Sequence, residues 1–286
     1  FPLIGVVRHA RVQDPTLVSS HPRSSYAEAL RSIRTRIEFI VAKKTGISIS
    51  VTSTESGDGK TFLSTNLAAL YAMTGKKTVL VDLDIRKGTL NKVFGQKSTH
   101  QGVSTYLSGK CDDVEEIIMH ETGNKNLDAI LSGPVPPNPA ELLMSDRLEK
   151  LVDYLRERYD YVFLDNVPLG MVADADIVKR VVDTTLFVLC AGKTDKRFLN
   201  DLDKLYRNNT FPNLSIILNS VKYKKHRGYG YGYGGYGYGR GYGYGYGYGG
   251  YGYGYGYGVD EEEKGRRHRS RHKHSSKENQ SEDKDR

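Results

Sequence analysis

The 286-residue chain has room for one α/β domain plus extra segments, and its formal net charge of +8 is mild for a nucleic-acid binder. About +2 of that charge belongs to the stretch from residue 228 onward, with ten Lys/Arg against eight Asp/Glu, so most of it lies in the body. Two isolated cysteines, Cys111 and Cys190, exclude a disulfide framework or a cysteine metal site, and no run of 18 apolar residues implies a transmembrane helix or signal peptide.

The chain opens on Phe1 rather than methionine, so a piece or processed form of a longer chain is expected, with any membrane-spanning portion elsewhere. Glu28, Arg31 and Arg34 recur every third residue, inside an arc of roughly 120° on a helix. By themselves they read as a solvated face with Glu–Arg pairs. Ile47–Ser53 is the first β-rich apolar run, and it leads into Thr54-Glu55-Ser56-Gly57-Asp58-Gly59-Lys60-Thr61. This segment matches a phosphate-binding loop except that Thr54 stands at the first glycine. Gly57 and Gly59 let the backbone wrap phosphates, and the next helix offers its N-terminal N–H groups. Lys60 is placed to neutralise β- and γ-phosphates and the Thr61 hydroxyl to ligate Mg²⁺, with nucleotide contacts running from Glu55 through Phe62. An ordinary glycine-containing strand–helix turn has the same local appearance.

Thr61–Thr74 has helical spacing, with Leu63, Leu67, Leu70 and Tyr71 on one face and Gly75 as a stop. Thr78–Val81 is a short buried strand that discharges Asp82, Asp84 and Arg86. Two acids two residues apart suit Mg²⁺ coordination plus a base for an incoming hydroxyl, although a solvated strand end reads similarly. Leu127–Leu131 is a further strand, followed by a rigid Ser132–Pro139 loop and a helix over Glu141–Arg158. Tyr161–Leu164 ends at Asp165, which fits a magnesium role through water; Thr185–Cys190 and Ser215–Leu218 complete the strands. Buried strands alternating with helices predict an α/β fold, a P-loop NTPase-like parallel sheet with helices on both faces. Ligands bind such sheets at the carboxyl ends of the strands, where Lys60, Asp82, Asp84 and Asp165 fall.

From Gly228 to Gly258 the chain contains only Gly, Tyr and Arg240, and from Val259 to Arg286 it is almost wholly charged or polar. Neither stretch can bury enough apolar surface to offset ordering, so a disordered tail is predicted. It holds thirteen tyrosines: Tyr229, Tyr231, Tyr233, Tyr236, Tyr238, Tyr242, Tyr244, Tyr246, Tyr248, Tyr251, Tyr253, Tyr255 and Tyr257. The glycine-rich part has an r.m.s. span of roughly 30 Å and reaches about 100 Å extended. A nucleotide-binding domain joined to a string of phenols suggests an enzyme that carries its own phosphoryl acceptor. A non-enzymatic alternative treats the tail as a stacking module for RNA, for which a single Arg240 is sparse.

The run Asp82-x-Asp84-x-Arg86 after an apolar triplet resembles the modified second Walker motif of the Wzc/CapB-type bacterial tyrosine kinases (BY-kinases) of capsule and exopolysaccharide export. Four further segments are similar to that family: Glu28-x-x-Arg31-x-x-Arg34, Ser132–Leu143 with its prolines, Ile217-Leu-Asn219-Ser-Val221, and the C-terminal tyrosine cluster. The pattern departs at Thr54 and at Val167, where no side-chain chemistry is expected. The resemblance implies a proton acceptor at Asp82, a phosphoryl-stabilising Lys60, Mg²⁺ on Thr61, Asp84 and Asp165, and Arg86 orienting the acids. It also implies adenine recognition by Asn219, and oligomerisation through Glu28, Arg31 and Arg34 into a ring-like homo-oligomer.

The implied cofactors are ATP and Mg²⁺. The implied partners are further copies of the chain, a transmembrane polysaccharide co-polymerase adaptor segment in cis or in trans, and a counteracting tyrosine phosphatase, with no nucleic acid. The implied location is the cytoplasmic face of the bacterial inner membrane. The division expected is 1–45 as a juxtamembrane-like segment and oligomerisation helix, 46–227 as the kinase domain, 228–258 as the autophosphorylation tail, and 259–286 as a charged terminus. The rival on the same fold is a ParA/MinD-like ATPase without kinase activity.

Overall fold

Three strands in which every residue is buried form the middle of a computed structural model of the chain: β2 (Ile47–Ser53), β3 (Thr78–Asp82) and β6 (Tyr161–Asp165). Burial on both faces explains why β3 and β6 are near-continuous apolar runs, while β2 alternates Ile47, Ile49 and Val51 with small buried Ser and Thr residues. The structure describes residues 1–9, 14–41, 45–96, 101–169 and 177–222. The thirteen tail tyrosines, the expected disorder of the tail and the charged terminus lie outside the described residues.

The remaining strands are β1 (Leu3–Arg8), β4 (Ile118–Met119), β5 (Leu127–Ile130), β7 (Thr184–Cys190) and β8 (Ser215–Val221), in one eight-stranded sheet of order β1-β8-β7-β2-β6-β3-β5-β4. Every pairing is parallel except β4 against β5, so the expected parallel sheet carries one antiparallel edge. That edge needs no crossover helix, because the short β4–β5 connection reverses the chain directly.

The helices form two layers. On one face lie α1 (Leu17–Ser20), α2 (Ser25–Ile40) and α3 (Lys60–Met73), sharing a core with β2 and with Leu186 and Val188 of β7. Among the other helices are α4 (Leu90–Val93), α5 (Val103–Leu107), α6 (Pro139–Met144), α7 (Asp146–Arg158) and α8 (Phe198–Arg207). Leu143 of α6 and Leu148, Leu151 and Leu155 of α7 pack against Val79, Val81, Val162 and Leu164. Leu202 of α8 covers Phe187 and Leu189, the β7 residues that alternate with Leu186 and Val188. Among the described residues no helix is long and apolar enough to cross a membrane.

Three expectations change. Among the described residues, β1 and α2 are not set apart from the nucleotide-binding body, because β1 pairs with β8 and Ile4, Val7, Leu30 and Ile33 join the core that holds α3. The helix expected over Glu141–Arg158 is two helices, broken at Ser145, whose ψ of 154° is extended. Arg180 holds the break by donating to the carbonyls of Leu143, Met144 and Ser145, acceptors that a continuous helix would use internally. The last strand runs to Val221 rather than Leu218.

Candidate active site at the carboxyl ends of the strands

β2 ends in a loop whose glycines are required by geometry. Gly57 (φ 86°) and Gly59 (φ 95°) both lie in the left-handed region, and a Cβ on Gly59 would meet Asn219 Nδ2 at 2.2 Å. Asp58 braces the loop from within: its Oδ2 accepts from Thr54 Oγ1 at 2.6 Å and from the Glu55 N–H at 2.8 Å. The Thr54 side chain therefore has a bonding role, contrary to the expectation that this departure from the motif is chemically silent. α3 begins at Lys60, so the first backbone N–H groups of a long helix point at the loop's concavity.

Register brings the acids together. Asp82 at the end of β3 is the direct neighbour of Asp165 at the end of β6, and Asp165 is in turn the partner of Val51 on β2. Lys60 Nζ lies 3.9 Å from Asp84 Oδ2 and 3.7 Å from Asp165 Oδ1, all three side chains being buried. Thr61 Oγ1 donates to Asp165 Oδ2 at 2.6 Å. Asp82 accepts the Asp84 N–H at 3.1 Å and the Leu90 N–H at 3.0 Å, one on each oxygen. Burial, and then the charge of Asp165, push the Asp82 carboxyl up to about 8. Burial also raises Asp165, against the opposing pull of Lys60 and Thr61. Arg86 is exposed beyond buried Ile85.

Beside this cluster is an open cavity of about 520 Å³ lined by Gly57, Asp58, Gly59, Thr61, Phe62 and Asn219, and also by His9, Pro15, Lys92, Val93 and Ser220. The size suits a small-molecule ligand of nucleotide dimensions. Asn219, expected to read adenine, lines the cavity while its Nδ2 donates to the Asp58 carbonyl at 2.9 Å. The Phe62 ring lies 5.2 Å from that of Tyr26 on α2. Asn66 pins the wall segment by accepting the Val18 N–H and donating to the Pro15 carbonyl.

The residues suit a magnesium ion. Asp165 Oδ1 is buried without a hydrogen-bond partner, next to the Thr61 hydroxyl. Among the described residues no group of three or more His, Cys, Asp or Glu could hold a metal on its own.

Glu28, Arg31 and Arg34 lie on one helix, α2, away from the acid cluster in sequence and layer. Arg31 bonds Glu28 and the Pro22 carbonyl, and Arg34 is 3.6 Å from Glu38. The tail tyrosines expected to accept phosphoryl groups lie outside the described residues. Sequence reasoning missed Lys193, which reaches the loop from the turn after β7; no local pattern marks a lysine that acts across 135 residues.

Residues 49–229 match the model of the CobQ/CobB/MinD/ParA nucleotide-binding domain. The chain is 36% identical over 222 residues to the tyrosine-protein kinase YwqD of Bacillus subtilis (strain 168), covering 78% of this chain and 92% of that protein. It is 36% identical over 213 residues to a putative tyrosine-protein kinase in the cps region of Klebsiella pneumoniae, covering 74% of this chain but only 29% of the relative. Among solved structures, the kinase domain of the Escherichia coli tyrosine kinase ETK superposes with a TM-score of 0.70 at 31% identity, over 81% of this chain and 94% of that one. A nucleotide-binding fold, a loop-and-carboxylate site and relatives of this identity together establish that the chain belongs to the bacterial tyrosine-kinase (BY-kinase) family.

Proposed function

We propose that the chain is an ATP-dependent protein-tyrosine kinase that phosphorylates its own C-terminal tyrosine cluster. The observation that carries this reading is the meeting of Lys60, Thr61, Asp82, Asp84 and Asp165 at adjoining strand ends, with Thr61 also lining a nucleotide-sized cavity, in a chain bearing thirteen tyrosines in its tail.

In this reading the loop N–H groups and Lys60 hold the β- and γ-phosphates, and Phe62 and Asn219 bound the space for the nucleoside. Mg²⁺, held by Thr61, Asp84 and Asp165 directly or through water, supplies charge neutralisation of the phosphoryl oxygens. The phenol oxygen forms a bond to the γ-phosphorus as the bond to ADP breaks, and the phenol proton passes to Asp82. A carboxyl raised toward working pH suits a general base. Each Asp82 oxygen accepts one backbone N–H and keeps a second lone pair for that proton. Arg86 orients the incoming acceptor and acids at the exposed rim.

The family relationship and the charged face of α2 support assembly into a ring through Glu28, Arg31 and Arg34, with a tail entering a neighbour's site. The cps-region relative supports a role in capsule or exopolysaccharide export at the cytoplasmic face of the inner membrane. A transmembrane co-polymerase adaptor would activate the kinase there and a tyrosine phosphatase would reverse its action. A ParA/MinD-like ATPase gives the tail no task.

Mixing a chain that ends at Arg227 with a full-length Asp82→Asn chain tests transfer between copies. Phosphotyrosine on the full-length variant is expected. If only the parent full-length chain ever carries phosphotyrosine, transfer between copies is wrong.

A further inference from the structure

The turn after β7 is wound tightly: the Lys193 and Thr194 N–H groups both donate to the Cys190 carbonyl, and Thr194 Oγ1 accepts the Cys190 N–H at 2.9 Å. Gly192 takes a φ of 78°, which lets the chain double back and present the next side chain toward β2. That side chain is Lys193. Its ammonium donates to the Ser56 carbonyl at 2.6 Å and to Asp58 Oδ1 at 2.7 Å, and lies 3.8 Å from Glu55 Oε2.

Asp58 is the hub of the loop. Its side chain is fully buried, one oxygen holding Thr54 and the Glu55 N–H and the other holding Lys193. Its backbone carbonyl holds Asn219. Between Thr54 and Gly59 the sequence has two acids and no base, so Lys193 supplies the positive charge at the front half of the loop. Lys60 serves the rear half, and the two lysines face different carboxylates.

We infer that Lys193 is a positioning residue for nucleotide binding: through Asp58 it fixes the phosphate loop in its open, N–H-presenting form before ligand arrives. The inference rests on the reading of the loop as the nucleotide site and adds a residue to it. A preformed loop saves the ordering cost that a slack one meets on binding. The saving is felt equally by ADP and ATP, because it concerns the loop and not the transferring phosphoryl group. Losing Lys193 should therefore raise KM and leave kcat nearly unchanged.

The test is calorimetric titration of Mg-ADP into the full chain and its variants, paired with steady-state kinetics in ATP. Lys193→Met is expected to weaken Mg-ADP about tenfold or more, the size expected for losing a charge-assisted bond to a buried carboxylate. KM for ATP should rise by a similar factor with kcat within about twofold. Lys193→Arg should recover most of the affinity, and adding Asp58→Asn to Lys193→Met should cost far less than Asp58→Asn alone, since both break one link. Should the methionine variant lose its far-ultraviolet circular dichroism, Lys193→Gln, which keeps a donor for the Ser56 carbonyl, carries the same comparison. Mg-ADP binding by Lys193→Met within about twofold of the parent, or a fall in kcat with KM unchanged, would overturn the inference. A parent chain that binds no Mg-ADP would overturn the nucleotide-site reading and this inference with it.

Discussion

Thr61 Oγ1 lies 2.6 Å from Asp165 Oδ2, joining the first turn of the loop helix to the end of the strand beside it. The other Asp165 oxygen is buried with no hydrogen bond, 3.7 Å from Lys60 Nζ. A carboxylate so placed is costly unless a cation faces it, and Lys60 is the cation the chain itself provides.

Lys60→Met consequently does more than remove a phosphate contact. It removes the lysine that pairs with both buried Asp84 and buried Asp165, and breaking a buried pair costs about 3 kcal/mol. Thermal denaturation should show Tm lowered by roughly 6–12 °C for a domain of this size, together with loss of phosphotransfer. An unchanged Tm would mean that Lys60 contributes nothing to the electrostatic balance of the apo site.

The raised Asp82 and Asp165 carboxyls give the apo protein a pH dependence of defined sign. A carboxyl whose folded pKa exceeds its unfolded value of about 3.9 binds its proton more tightly when native. The stability it adds is complete below that unfolded value and is lost as pH rises through the folded one. In magnesium-free buffer the denaturant midpoint should therefore carry a falling contribution from about pH 4 to about pH 8, and Mg-ADP should flatten the curve. A midpoint that climbs through this window would contradict the assignment.

Gly59→Ala meets two obstacles at once, a φ of 95° and a Cβ 2.2 Å from Asn219 Nδ2. Mg-ADP affinity should fall at least about tenfold, and adding Asn219→Ala should relieve the collision while leaving the backbone strain of roughly 1 kcal/mol. Recovery of part, but not all, of the lost thermal stability in the double variant is the result expected by calorimetry.

The α2 face can be separated from the active site by experiment. A Glu28→Ala/Arg31→Ala/Arg34→Ala chain should scatter light as a smaller species than the parent and bind Mg-ADP within about twofold of it. Full phosphorylation of the tail, adding roughly −20 to −26 charges, should have a similar effect on assembly. One mass for all of these samples would exclude the α2 face from assembly.

Legibility follows contact range. β3, β6 and β7 are readable to within one residue because a strand buried on both faces is a run of apolar residues bounded by polar turns. Asp82 and Asp165 are readable for the same reason, since each terminates such a run, whereas Lys60 is marked by the glycine-rich loop motif and Asp84 by its spacing from Asp82. The break at Ser145 is invisible in sequence because Leu143, Leu148, Leu151 and Leu155 keep an apolar helical face across it, and the residue that holds it, Arg180, is 35 positions on. β1 lies in a stretch that family likeness marks as juxtamembrane-like, and its short run has no periodicity to reveal a partner more than 200 residues later. Thr54, Asp58 and Lys193 form a brace whose members come from the ends of two strands, and no spacing rule joins them.

The most direct test is intact mass after incubation with Mg-ATP, comparing the parent chain with Asp82→Asn and with a chain ending at Arg227. A ladder of additions of about 80 Da is expected on the parent, one step per phosphoryl group, and absent from both variants. A parent that releases ADP yet gains no mass, or a ladder that persists without the tail, would contradict autophosphorylation of the tyrosine cluster.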